Sequence, residues 1–227
     1  MGIVVKLTGR VFNSEELIER YVDVVAGESN SNKVVVVTGG GDVARRYIEA
    51  ARRLTRNESA ADMIGIWASR LNAWLMVYAL HSRGINVHLG VPETLGELGR
   101  AYSTSRVVVM GGLQPGQSTT MVSVLAAEYL GIGTVVNCSN VDALYTDDPF
   151  KNPNATRISR ARISDVEAIL HREGVRAFAG TYELIDEWAL GIMRRSGISM
   201  VIIDGKDPNR LAKYLNNGEV EGTLITP

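Results

Sequence analysis

Cysteine occurs once in this sequence, at Cys138. No disulfide can form within the chain, and a reducing compartment is the expected setting. Cys138 closes the apolar run Thr134–Cys138, where a small buried hydrophobe is a better reading than a nucleophile. Neither sign of charge is in excess: 24 Lys and Arg stand against 25 Asp and Glu, a net of −1. That balance gives no reason to expect nucleic acid or an anionic membrane as a partner. No apolar run approaches membrane-spanning length. The first apolar residues, Ile3–Leu7, are too few for a secretory core and lead straight into a strand pattern. A soluble cytoplasmic protein is expected.

Several chemical signatures are missing as well. Histidine occurs three times, at His81, His88 and His171, and each is isolated from any second His or Cys at metal-ligand spacing. There is no His-Glu-x-x-His and no paired cysteine cluster, which argues against zinc. There is no G-x-x-x-x-G-K-[ST] P-loop and no G-x-S-x-G nucleophile elbow. No repeat of 20–50 residues and no low-complexity segment is evident.

What is present is a run of alternating strands and helices in 227 residues, 45% of them hydrophobic. That length and apolar fraction suit one large α/β domain or two small ones. Strands are expected at Ile3–Leu7, at Lys33–Thr38, at Ile85–Leu89, at Arg106–Met110, at Thr134–Cys138, at Met200–Ile203 and, as a final edge strand, at Thr223–Ile225. Asn13 with Glu16 resembles a capping box opening a helix through Val25, followed by a polar loop, Gly27–Asn32. Further helices are expected at Val43–Leu54, Ala60–Ser82, Leu95–Ala101, Met121–Leu130, Ser164–Leu170, Tyr182–Ser196 and Asn209–Asn216, with a polar break at Thr55–Ser59. In Ala60–Ser82 the residues Met63, Ile66, Trp67, Leu71, Trp74, Leu75 and Tyr78 recur at three- and four-residue spacing, a stripe that suits core or a subunit interface. The fold class is α/β with a largely parallel sheet. The loop around Pro149–Thr156 is the best internal boundary.

Three strands run into glycine turns. The four valines of Lys33–Thr38 suit a strand buried on both faces. Gly39, Gly40 and Gly41 end it, and Asp42 stands where an N-cap would stand, with Arg45 in the first helical turn. A helix N-terminus behind a glycine turn is a natural phosphate site, and the Arg45 fork can grip phosphate oxygens bidentately. The turn also reads simply as a tight turn. Lys6 ends the first strand ahead of Thr8-Gly9-Arg10. A buried lysine needs an anionic partner, although a lysine there can also snorkel to solvent. The third turn is Gly111-Gly-Leu-Gln-Pro-Gly-Gln-Ser-Thr119, in which Pro115-Gly116 forces a turn and Ser118 and Thr119 can cap a helix or bind a ligand. If the strands are parallel, all three turns fall at one carboxyl edge, where ligands of open α/β sheets bind. Asp62 reads as an ordinary helix-terminal charge, and Tyr145 and Asp148 as loop residues that could equally face a purine, a ribose or a metal. Gly39–Ala44 matches G-x-G-x-x-A, but the segment after the helix reads as another helix rather than the strand and acid that a dinucleotide fold needs, so that reading falls.

Taken together, Lys6-Leu-Thr-Gly9, Gly39-Gly-Gly41 with Arg45, Asp62, Gly111–Thr119 and Asn140-Val-Asp-Ala-Leu-Tyr145-Thr-Asp-Asp148-Pro149 stand in the order of the amino acid kinase superfamily. Within it the chain resembles the archaeal uridylate kinases over nearly its whole length. The resemblance implies an α/β/α sandwich around a mainly parallel sheet, a single domain over 1–227 with an acceptor lobe at about 1–132 and an ATP lobe at about 133–227. It implies ATP-dependent phosphorylation of UMP to UDP with Mg²⁺ in pyrimidine biosynthesis, hexamers built from dimers, and inhibition by UTP. Carried over by motif, Gly40, Asp62, Leu113, Gln114, Pro115, Gly116, Gln117, Ser118 and Thr119 would contact UMP. Gly9, Arg10, Gly41 and Arg45 would line the ATP phosphates, Ser139, Tyr145 and Asp148 would hold the adenosine, and Lys6 would neutralise the transferring phosphoryl group. Arg10, Thr120, Ser139 and Ala143 depart from the commoner pattern. The rivals are a carbamate, amino acid or isopentenyl phosphate acceptor on the same fold, or a nucleotide-sensing module without turnover. Since a nucleotide phosphate is already ionised, such a transfer needs cationic and N–H groups more than a general base.

Overall fold

The computed structural model describes residues 2–147, 152–170 and 185–227. Its centre is a seven-stranded sheet. The strands are β1 (Gly2–Leu7), β2 (Lys33–Thr38), β3 (Val107–Met110), β4 (Thr134–Ser139), β7 (Arg160–Arg162), β8 (Ser199–Asp204) and β9 (Gly222–Thr226), in the order β3-β2-β1-β4-β8-β9-β7. All neighbours pair in parallel except β8 with β9. The valine runs of β1 to β4 are buried on both faces, as parallel strands covered by helices must be. One face, with Val4, Val35, Val108 and Met200, packs against α5 (Thr119–Leu130) and α7 (Glu187–Ser196). The other, with Val5, Val36, Val109 and Val201, packs against α1 (Glu15–Ser29), α3 (Glu58–His81) and α8 (Pro208–Asn217). The expected three-layer α/β/α class with a mainly parallel sheet is therefore present. Among the described residues no helix is long and apolar enough to cross a membrane.

Element ends differ from expectation where a local contact outcompetes the sequence signal. Asn13 does not cap α1. It lies in a 3-10 turn, Gly9–Asn13, and its amide donates to Asp42 at 2.7 Å, while Ser14 is extended and accepts from Leu17 N. α1 continues through Ser29, so the loop Gly27–Asn32 shrinks to its last residues. Gly40, not Asp42, is the N-cap of α2 (Gly41–Thr55). The break Thr55–Ser59 narrows to Arg56, at φ 52°, and Asn57, which caps α3. α4 (Leu95–Thr104) outruns its expected end, and α6 (Ile163–Leu170) lies where expected.

Ile85–Leu89 forms only a single bridge, Val87 to Val107. Gly90 and Pro92 follow at once and stop the pairing. β9 is not the edge. β7, read Arg-Ala-Arg, pairs outside it and owes its extended form to that partner rather than to any β-branched residue. Two short strands, β5 (Leu144–Tyr145) and β6 (Arg157–Ile158), form a separate hairpin that the sequence pattern does not show. Residues 182–184 of the expected helix Tyr182–Ser196, Asp148 and His171 lie outside the described residues.

Apart from buried Ile66, the apolar stripe on α3 is largely exposed. Ala73, Met76, Val77 and Leu80 face inward, whereas Trp67 is 58% exposed, Leu71 64% and Tyr78 61%. Trp74 stacks on Tyr78 at 5.5 Å between ring centroids. The helix is apolar on two faces, and the sheet can cover only one.

Cys138 is fully buried, and burial pushes its thiol up to about 12. The folded protein should therefore resist a thiol reagent at about pH 8, where a free cysteine is substantially thiolate. Denaturant should release stoichiometric labelling; full labelling of the native protein would contradict this burial.

Candidate active site

The sheet order makes β1 the switch point. The chain leaves it for β2 and β3 on one side and returns to β4 on the other. The crevice of an open α/β sheet lies at such a point, beyond the carboxyl ends. Here those ends carry Thr8–Arg10, Gly39–Gly41, Gly111–Thr119, Ser139–Asn140 and Gly205–Lys206. All lie at one edge because β1, β2, β3, β4 and β8 run parallel.

The first two turns touch through their main chains. A Cβ on Gly9 would stand 1.9 Å from Gly41 N, and Gly41 itself has φ +68°. Neither position accepts a side chain without moving the other turn. The remaining turns are stitched to these. Gly39 N donates to Leu7 O and Thr8 N to Cys138 O, each at 2.9 Å, and Gly205 N donates to Ser139 O at 2.7 Å. The Thr8 hydroxyl donates to Asn140 Oδ1 at 2.6 Å.

Lys6 is buried, 8% exposed, in register with Val37 and Asn137 and so on the α5/α7 face of the sheet. The snorkelling alternative therefore fails. Arg45 lies at the start of the second turn of α2, half exposed, 3.6 Å from Asp42. Arg10 is exposed in the 3-10 turn Gly9–Asn13 that follows β1. Gly40 and Asp62 meet Gln117 and Thr119 in a cavity of about 180 Å³, closed behind by Gly65 and Ile66. Asp62 Oδ2 accepts from Gly116 N at 2.9 Å, which ties its partly exposed carboxylate to the third turn. Gln117 Oε1 is buried and has no hydrogen-bond partner among the described residues. A buried acceptor left open in a cavity is what a ligand N–H or O–H would satisfy.

α3 holds these turns with residues that the sequence reading passed over. Arg70, with its side chain 11% exposed, donates to Gly112 O and Leu113 O at 3.1 Å each and pairs with Glu93. Ser69 Oγ accepts from Gly112 N at 2.8 Å, and Asn72 donates to Gly39 O at 2.7 Å. The available signal was a cluster of polar residues, Ser69, Arg70 and Asn72, interrupting an otherwise apolar helix.

On the other side of the crevice, Ser139 is buried at the end of β4. Tyr145 donates to Asp142 at 2.9 Å; burial and that carboxylate raise the phenol above its ordinary pKa. Asp142 also pairs with Arg157 across the β5–β6 hairpin, at 3.3 Å. Neither Asp142 nor Arg157 was singled out from sequence. A second concavity, between Arg160, Arg162, Asp165 and Thr226, lies at the β7 edge and contains none of the glycine turns.

Residues 1–204 match the model of the Amino acid kinase family. The chain belongs to this family. It is 43% identical to a uridylate kinase of Pyrobaculum neutrophilum over 226 residues, covering all of both chains. It is 37% identical to the uridylate kinase of Sulfolobus acidocaldarius, again over the whole of both. The crystal structure of uridylate kinase from Archaeoglobus fulgidus superposes with a TM-score of 0.88 at 34% identity, covering 99% of this chain and 100% of that one. In this amino acid kinase the glycine turns gather at the switch point of the sheet.

The contact between the first two turns predicts an asymmetry among glycines. Gly9→Ala should cost about 2 kcal/mol or more in urea denaturation, because backbone must move. Gly27→Ala, inside α1 with nothing within 4 Å of the added methyl, should be neutral or gain about 0.5–1 kcal/mol. Equal effects at the two sites would refute the close approach.

Proposed function

We propose that this amino acid kinase transfers the γ-phosphoryl group of ATP to UMP, giving UDP and ADP, in pyrimidine nucleotide synthesis. The observation that carries the reading is the junction of the glycine turns with the cavity behind Gly40. One side offers N–H groups and cations to a polyphosphate, and the other offers a half-open pocket with an unsatisfied acceptor at Gln117. The full-length likeness to proteins named uridylate kinase supports UMP as the acceptor.

In this reading Gly9, Arg10, Gly41 and Arg45 bind the ATP phosphates, and Ser139, Tyr145 and Asp148 the adenosine. Gly40, Asp62 and Leu113–Thr119 bind UMP. A UMP phosphate oxygen forms the new bond to the γ-phosphorus as the bond to the β,γ-bridging oxygen breaks in line, and ADP leaves with that electron pair. No proton need be removed, since the attacking phosphate is ionised near neutral pH. What the chain must supply is charge stabilisation between two anions, and buried Lys6 with the turn N–H groups fits that task. Mg²⁺ would be carried on the ATP phosphates beside Gly9, Gly41 and Arg45, and there it would supply further charge neutralisation. The rim's N–H, hydroxyl and cationic groups suit phosphate oxygens. Asp62 would repel a phosphate and so serves the ribose, exchanging Gly116 N–H for a sugar hydroxyl.

The same reading makes residues to about 132 an acceptor lobe and those from about 133 an ATP lobe, with UTP as feedback inhibitor and a cytoplasmic setting. It makes the exposed α3 stripe the dimer face of a hexamer, a trimer of dimers.

Lys6→Ala should lower kcat by at least about 10²-fold, the scale of losing one charge-stabilising donor. Near-normal turnover would remove Lys6 from the transfer. Asp62→Asn should chiefly weaken UMP binding, and unchanged UMP affinity would overturn its ribose role. Mg-ATP with UMP, carbamate, amino acid and isopentenyl phosphate acceptors, read as ADP release, tests the acceptor itself. For the assembly, Trp67→Glu with Leu71→Lys should reduce the sedimenting species to a smaller one; an unchanged species would place the interface elsewhere.

A further inference from the structure

We propose that Asp186 is a positioning residue for the acceptor loop, acting through Ser118. The proposal rests on the reading of Leu113–Thr119 as the acceptor loop. Asp186 is the N-cap of α7, where its Oδ1 accepts from Ala189 N at 2.8 Å. Its other oxygen, Oδ2, accepts from the hydroxyl of Ser118. Ser118 is in turn the N-cap of α5, its Oγ accepting from Met121 N at 3.0 Å. One carboxylate therefore closes the starts of two helices, 68 residues apart in sequence, and sits at the positive end of both.

The two helices lie side by side on one face of the sheet. Their far ends are joined as well. Arg195 Nε donates to Glu128 Oε1 at 2.7 Å, its Nη2 donates to Oε2 at 2.6 Å, and Ser196 donates to the same carboxylate. The pair is thus clasped at both ends, but only the Ser118–Asp186 end borders the third glycine turn. Its consequence for Ser118 is chemical. The hydroxyl's single proton goes to Asp186 and a lone pair takes Met121 N–H. What Ser118 can donate to a nucleotide is its main-chain N–H. The hydroxyl orients the loop, and Asp186 orients the hydroxyl. Gly116, at φ +80°, and Gln117 precede Ser118 directly, so the clasp fixes the C-terminal anchor of the segment whose other anchor is Arg70.

The distinction from a merely structural contact lies in comparing the two clasps. Asp186→Ala should raise KM for UMP about fivefold to tenfold, the scale of one charge-assisted hydrogen bond, with kcat reduced less and KM for ATP within about twofold. Asp186→Asn keeps a good N-cap and so folds if the alanine variant does not; it should restore thermal stability but not the full affinity for UMP. Ser118→Ala with Asp186→Ala should be no worse for KM than Ser118→Ala alone, because both remove one coupling. Arg195→Ala, at the other clasp, should lower thermal stability without raising KM for UMP. Amide exchange over Leu113–Thr119 should quicken in Asp186→Ala and not in Arg195→Ala, a readout independent of which acceptor is used. Additive effects in the double variant, equal KM shifts from Arg195→Ala, or unaltered exchange in the loop would each overturn the assignment. If the wild type rejects UMP, the functional reading fails, while the exchange comparison still decides the role of Asp186.

Discussion

The main chains of Gly9 and Gly41 lie so close that no side chain fits between them, and much of the molecule follows from that contact. Two adjacent parallel strands must end level, so β1 and β2 are in register from Gly2 opposite Lys33 to Leu7 opposite Thr38. The helix after β2 must begin at once, which makes Gly40 its cap and leaves Asp42 in the first turn. The 3-10 turn after β1 brings Asn13 against Asp42. Free N–H groups from both turns consequently collect over one point of the sheet edge, and the helix N-terminus adds its dipole there.

α3 has two unrelated tasks on its surface. Its inner and upper positions hold the glycine turns through Ser69, Arg70 and Asn72 and close the cavity with Asp62, Gly65 and Ile66. Its outer positions form an apolar stripe that the chain itself leaves uncovered. A helix of this length crossing the end of a sheet can serve both because successive faces repeat every three to four residues.

Charge is distributed with similar economy. The chain is nearly neutral overall, yet the switch-point crevice collects Lys6, Arg10 and Arg45 with the N–H groups of the turns. Carboxylates near it are already engaged: Asp62 by Gly116, Asp142 by Tyr145 and Arg157, Asp186 by Ser118 and α7. Asp42 likewise is held by Asn13 and by Arg45, so each of these acids has a local partner.

Sequence alone determined the layers and the edge. Valine runs between amphipathic helices require a covered parallel sheet, and glycines after three such strands require three turns at one rim, because both signals are local and periodic. The motif order in Lys6, Gly39–Gly41, Asp62 and Gly111–Thr119 pointed to the family for the same reason. Tertiary structure alone decided what depends on distant partners. Asn13 lost its capping role to Ser14 because Asp42 was near; β7 became a strand because β9 offered a partner. The α3 stripe proved to lie outside because periodicity specifies a face but not which layer covers it. Arg70 and Asp186 act through groups 23 to 68 residues away, and no local pattern in a chain encodes such a pairing.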